Sequence, residues 1–335
     1  MRQFVFWEPR YTSGAIDVVL DGRLAPSDAL YSDCGWDSDP DDAVSKPGAR
    51  GGRALHVPGT LLFALAPDGW SLQHFLDGVL PKLVQARELL AHPSVKVLAE
   101  SHPELHPIVD ELLAALNVTA ERRVRPPASQ AYTLADLAAG AEDVGVSADR
   151  LVLPCRTPAI HPQLWQQAQE LLGVRAVPAI ERNIVAYLPR DRGGGVGAFN
   201  GGRHIANEDV LLDNLVAALE GRRERLQVFR HTEYETLPAL LAFWARVGVV
   251  IGPHGGALSN VMFVPPGGAV VELFPVDPVT RAPPPQLASG GMMYYLHAAL
   301  LGHKYHFVHA EAVGEELFVD PAAVVRALEL ALGAD

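Results

Sequence analysis

Short apolar runs alternate with amphipathic stretches along almost the whole chain, and this alternation restricts the fold more than any other feature. Extended runs read at "ALHVPGTLLFAL" (54–65), "VKVLAE" (95–100) and "RLVLPC" (150–155), with helical periods between them at 70–92, 103–117 and 161–173. A second series begins with the strand "NIVAYLPR" (183–190) and the helix "NEDVLLDNLVAALEG" (207–221). It continues through "LQVFR", the helix "LPALLAFWARVG", "VVIG", "AVVEL", a helix within 286–302, "YHFVH" and a last helix at 321–333. Strands alternating with helices predict parallel sheets covered by helices on both faces. The two series meet in "VRAVPAIERN", which predicts two domains, 1–178 and 179–335. With 335 residues the chain is long enough for two separate cores. The long helix at 70–92 is expected to bend or cap near Pro81.

Charge excludes one class of partner. The net charge of -12 argues against tight generic binding to nucleic acid. Yet every Lys or Arg position from Arg175 to Arg246 is arginine, and the planar guanidinium suits phosphate oxygens. Two cysteines, Cys34 and Cys155, supply neither a disulfide framework nor a zinc spacing. No apolar run approaches the length of a transmembrane helix. The opening "MRQFVFWEPRY" lacks the apolar run of a signal peptide. The stretch 37–53, rich in Asp, Pro and Gly, and the Gly-rich stretch 191–204 read as loops.

In parallel sheets ligands bind beyond the carboxyl ends of the strands. "VVIGPHGGALSN" sets His254, Gly255, Gly256 and Ala257 at such an end. Glycines there let the backbone approach an anion closely, and the following turn aims N–H groups at it. Taken alone this is either a phosphate loop or a plain tight turn. Glu272 closes the next strand, "GAVVEL", where a carboxylate either binds the two hydroxyls of a ribose or simply faces water. Arg190 ends its strand and Arg203 precedes the next helix, so both are candidates for a diphosphate. Asn207 reads as the N-cap of that helix, with Glu208 and Asp209 in its first turn. In "SLQHFLDGVLPKL", His74 and Asp77 lie three apart on one helical face. They are either a half-buried pair that satisfies itself or a base with its orienting carboxylate. No Asp-x-Asp follows a strand to hold a divalent metal.

Together these segments resemble glycosyltransferase family 61. "VGVVIGPHGGALSNVMFVPPGGAVVEL" is similar to the family's strand, His-Gly loop, Pro-Pro-Gly turn and acidic strand end. "YLPR" with "NEDVLLDNL" resembles its Arg strand and Asn-Glu helix, and "HFLDGVLPKL" its N-terminal His-acid helix. Two departures stand out. Gly256 and Ala257 exchange the last two residues of the family's His-Gly-Ala-Gly loop, and Ala239-Leu240 replaces a frequent Glu-Gln pair. The resemblance implies the GT-B architecture, two Rossmann-like domains facing across a cleft. It implies an inverting, metal-independent transfer of xylose, arabinose or GlcNAc from a UDP-sugar to a glycan or glycoprotein hydroxyl, without a further cofactor. His74 and Asp77 would then serve catalysis, and Arg190, Arg203, the His254–Ala257 loop and Glu272 the donor. For eukaryotic members it implies the Golgi lumen, to which this N-terminus shows no route. A nucleotide-sugar epimerase or hydrolase, or a non-catalytic nucleotide- or glycan-binding protein, are the alternatives on the same architecture.

Overall fold

The computed structural model describes residues 55–66, 69–102, 104, 106–124, 146–152, 154, 162–190, 203–284, 287, 293–314 and 316–333. Cys34, Cys155, the loop 37–53 and residues 191–202 of the second loop lie outside them. The fold is mixed α/β with parallel sheets. Described residues up to Leu172 form one compact unit and those from Gly173 a second.

The first unit contains β1 (Leu55–Phe63), β2 (Lys96–Leu98), β3 (Arg123–Val124) and β4 (Val146–Val152). They form an all-parallel sheet in the order β3-β2-β1-β4. The apolar end of β1, Leu61 to Ala64, is almost wholly buried because the strand is central and covered. Its register shifts between Val57 and Thr60, where Gly59 takes a φ of 83° and its N–H donates to Asp149 at 2.7 Å. Helices α4 (Pro107–Ala115) and α5 (Pro162–Leu172) complete the alternation.

The segment expected as one long helix is broken differently. It consists of α1 (Leu72–His74), a π-helical turn (Phe75–Val79), α2 (Leu80–Gln85) and α3 (Arg87–Leu90). Pro81 causes no break, since it sits in the first turn of α2, where a missing N–H costs nothing. The irregularity lies upstream, at the π turn that contains Asp77. Lys82, with 1% exposure, donates from Nζ to the carbonyl of Leu65 at 2.5 Å and ties α2 to the end of β1.

The second unit has β5 (Ile184–Tyr187), β6 (His204–Ile205), β7 (Arg225–Val228), β8 (Val247–Pro253), β9 (Ala269–Val276), β10 (Lys304–Val313) and β11 (Glu316–Val319). Its sheet runs β6-β11-β10-β9-β8-β5-β7, parallel except for the β10–β11 hairpin, which turns at Gly314. Helices α6 (Glu208–Ala218) and α9 (Pro321–Leu332) pack on one face, over Val249, Ile251, Val271, Leu273, Val308 and Ala310. Each fully buried aliphatic side chain there contributes about 1.5–3 kcal/mol. The remaining helices are α7 (Leu237–Trp244) and α8 (Met293–Leu301). Successive strand residues point to opposite faces, so His254, Glu272 and Tyr305 lie on the face away from α6 and α9, the side on which α8 packs.

Asn207 stands at the N-cap position of α6 but does not cap it. Its amide donates to Val319 O at 2.9 Å, and its oxygen accepts from Val319 N at 3.3 Å. The expected cap is therefore a tether from α6 to β11. Glu208 is also engaged, accepting from the Tyr187 hydroxyl at 2.7 Å and fastening α6 to the end of β5.

Candidate functional site

Five strands of the second unit follow one another in space as β7-β5-β8-β9-β10, with β7 at the edge. After β5 the chain forms the far edge strand β6, then β7 on one side of β5 and β8 on the other. The gap beyond the carboxyl ends of β5 and β8 is thus a topological switch point, where open α/β sheets hold ligands. Arg190 follows β5 by three residues, and His254 follows β8 directly. The strands approach closely here because Gly252 lacks a Cβ, which would fall 2.9 Å from the Leu188 Cβ. Gly255 acts likewise for a side chain. A Cβ on it would lie 2.1 Å from Arg190 Nη1, so the guanidinium crosses the space the glycine leaves open. From there it donates to the His254 carbonyl at 3.4 Å.

Arg203 belongs to the same cluster. Burial, and then the positive charge of Arg203, push Arg190 down to about 10. Burial also lowers Arg203, and Tyr294 opposes the shift of both. Two half-buried guanidiniums close enough to repel make a site poised for an anion. Arg203 holds its place at a φ of 67°, uncommon for a residue with a side chain and costly by about 1–3 kcal/mol. Gly256 opens a 3-10 helix (Gly256–Phe263) beyond the histidine, and Ala257, in its first turn, is exposed.

His254 is buried, at 4% exposure, with its ring edge-on to Phe274 at 5.5 Å and to Tyr294 at 5.2 Å. Its Nδ1 is bonded to Glu272 Oε1, and the Tyr305 hydroxyl donates to Glu272 Oε2 at 2.5 Å. Glu272 has 0% exposure. It does not face water, and within the protein one oxygen meets His254 and the other the Tyr305 hydroxyl. It lies under His254 and fixes the ring. Tyr305 and Tyr294 were not legible as site residues, since "YHFVH" and "MMYYLHAAL" read only as buried strand and helix. Tyr305 is brought to Glu272 by the register that sets β10 alongside β9, and Tyr294 by α8 packing over that face.

His74 and Asp77 lie in the other unit, with His74 Nδ1 3.8 Å from Asp77 Oδ1. His74 is 41% exposed and Asp77 16%. Burial raises the Asp77 carboxyl to about 6, against the opposing pull of His74 and a hydrogen bond from Gln73. A carboxylate that titrates near neutrality can take a proton and give it up again. It is mounted on the π turn, an irregularity frequent at functional sites.

The family model described as glycosyltransferase 61 matches residues 72–271, more than half of the chain. The match spans His74, Asp77, Arg190, Arg203 and the His254–Ala257 loop, and ends one residue before Glu272. Among curated proteins no match was found. A glycosyltransferase needs sugar donor and acceptor substrates, and no described helix is long and apolar enough to cross a membrane. By this match the chain belongs to glycosyltransferase family 61 and is a glycosyltransferase.

Proposed function

We propose that the protein is an inverting, metal-independent transferase of the GT-B type, moving a sugar from a UDP-sugar to a glycan or glycoprotein hydroxyl. Xylose, arabinose and GlcNAc are the donor sugars to test. The observation that carries this reading is the gathering of Arg190, Arg203 and His254 at the switch point of one sheet. In a displacement at the anomeric carbon, the bond to the β-phosphate oxygen breaks and its electron pair leaves with the diphosphate. Two guanidiniums and an imidazole stabilise that developing charge, the task a metal performs elsewhere. Gly255, Gly256 and Ala257 present backbone to the phosphates. Glu272 serves the donor site indirectly, by holding His254. No further cofactor enters this scheme.

The acceptor hydroxyl loses its proton to the Asp77 carboxylate, which becomes a carboxylic acid. Its raised carboxyl is a stronger base than an ordinary aspartate, and His74 orients it before the transfer. The acceptor oxygen then attacks from the side opposite the leaving UDP, which inverts the anomeric centre.

Calorimetric titration of UDP, with GDP as comparison, tests the donor site. Micromolar UDP binding unaffected by EDTA, and weakened about tenfold or more in His254→Ala, is expected from the loss of one charge-assisted hydrogen bond. Absence of binding by either nucleotide would exclude the UDP-sugar reading and leave the family membership standing.

A further inference from the structure

The buried carboxylate of Glu272 is held from both sides by neighbouring strands. β8 contributes His254, β9 Glu272 and β10 Tyr305, and the three lie on one diagonal. Glu272 pairs in register with Gly252 and with Phe307; His254 is two residues beyond the first and Tyr305 two before the second. Steps of two keep all three side chains on the same face. We propose that Tyr305 is a positioning residue for His254, acting through Glu272. The functional consequence rests on the donor-site reading above, whereas the relay itself can be tested without a nucleotide.

A carboxylate with no exposure is costly unless donors meet both oxygens. The Tyr305 hydroxyl supplies the second donor, and burial together with the charge of Glu272 keeps that phenol protonated. With Tyr305 on Oε2, Glu272 turns its other oxygen to His254. With an acceptor at Nδ1, that nitrogen carries a proton, and Nε2 remains for a ligand atom, donating to a phosphate oxygen when the ring is protonated. Tyr305 thus sets both the tautomer and the basicity of a ring it does not touch. Removing its hydroxyl concentrates the negative charge of Glu272 on the His254 side and stabilises the imidazolium.

Among the described residues, few other groups act on this ring. Tyr294 lies edge-on from α8, with His297 behind it at 5.7 Å. Burial drives His297 down to about 4, so it stays neutral at higher pH. Arg190 reaches the His254 carbonyl from beyond β5, and Arg203 adjoins Arg190. None of these is altered by a change at Tyr305, whose own ring packs edge-on to Tyr295 at 5.4 Å and keeps that contact as phenylalanine.

The test follows the His254 ring by NMR in the full chain, its signal assigned by loss in His254→Gln. Tyr305→Phe should raise the His254 titration by about half a unit to one unit. In a Glu272→Gln background the same change should leave it unmoved. A titration that stays or falls in the first comparison, or moves equally in both, overturns the relay. Thermal melts of each variant guard against misfolding. Should Tyr305→Phe fail to fold, Tyr305→Leu, which also lacks the hydroxyl, takes its place: a raised His254 titration supports the relay and an unchanged one overturns it. UDP calorimetry on the same samples separates the two ideas. A shifted ring without UDP binding keeps the relay and removes the donor reading.

Discussion

Asp77 shows how one side chain can burden the fold while equipping it for chemistry. Its carboxyl is held at about 6, against 3.8 in an open chain. Because the folded value is the higher, the group favours the fold fully below pH 4, and that contribution fades as pH rises through 6. Asp77→Asn removes the penalty and nearly keeps the shape. The variant should match the wild type in stability near pH 4 and exceed it near pH 8, by up to roughly 3 kcal/mol. Turnover should fall about a hundredfold or more in the same variant. Melts at both pH values, beside product assays, check this. A variant less stable at pH 8 would show that Asp77 holds the π turn together and would count against the base assignment.

Asn207 moves the question to the element scale, because it stands at a helix start and bonds elsewhere. Its two hydrogen bonds to Val319 join α6 to β11, the hairpin strand next to β6. Asn207→Ala should cost about 1–3 kcal/mol in chemical denaturation, since it leaves a half-buried backbone pair without partners. A loss well under 1 kcal/mol would return Asn207 to a simple surface role. The same residue shows where reading the sequence stopped. The central strands β5, β8 and β9 were legible because each is an apolar run bounded by Gly, Pro or charged residues. β6 and β3 are two residues long and β11 begins with glutamate, so no periodicity marks them. Arg190, Arg203 and His254 were legible as a group because strand ends carry ligands in this class. Glu272 was legible as a residue but not in its role, since a carboxylate at a strand end looks the same facing water or facing a buried histidine. Only register tells these apart, and a sequence carries register weakly for strands of such different lengths.

At the scale of the molecule, each unit carries its own sheet and core, and the residues proposed to hold the diphosphate belong wholly to the unit that begins at Gly173. Ligand binding stabilises the part that binds. UDP at about 100 times its Kd should add about 2.7 kcal/mol to that unit. Hydrogen exchange should then slow most at the amides of β5, β8 and β9, with smaller changes at β1 and β2. Protection centred on the first unit would move the donor site there. The contact between Arg190 and Gly255 has a consequence that reaches beyond this one molecule. The guanidinium fills the volume a methyl group would need, so the two positions are bound to a shared history. Among descendants of a common ancestor, a lineage that gains a side chain at the glycine should shorten or lose the arginine. One that trades the arginine for a small residue is released from keeping the glycine. The pair should thus be inherited, and abandoned, together.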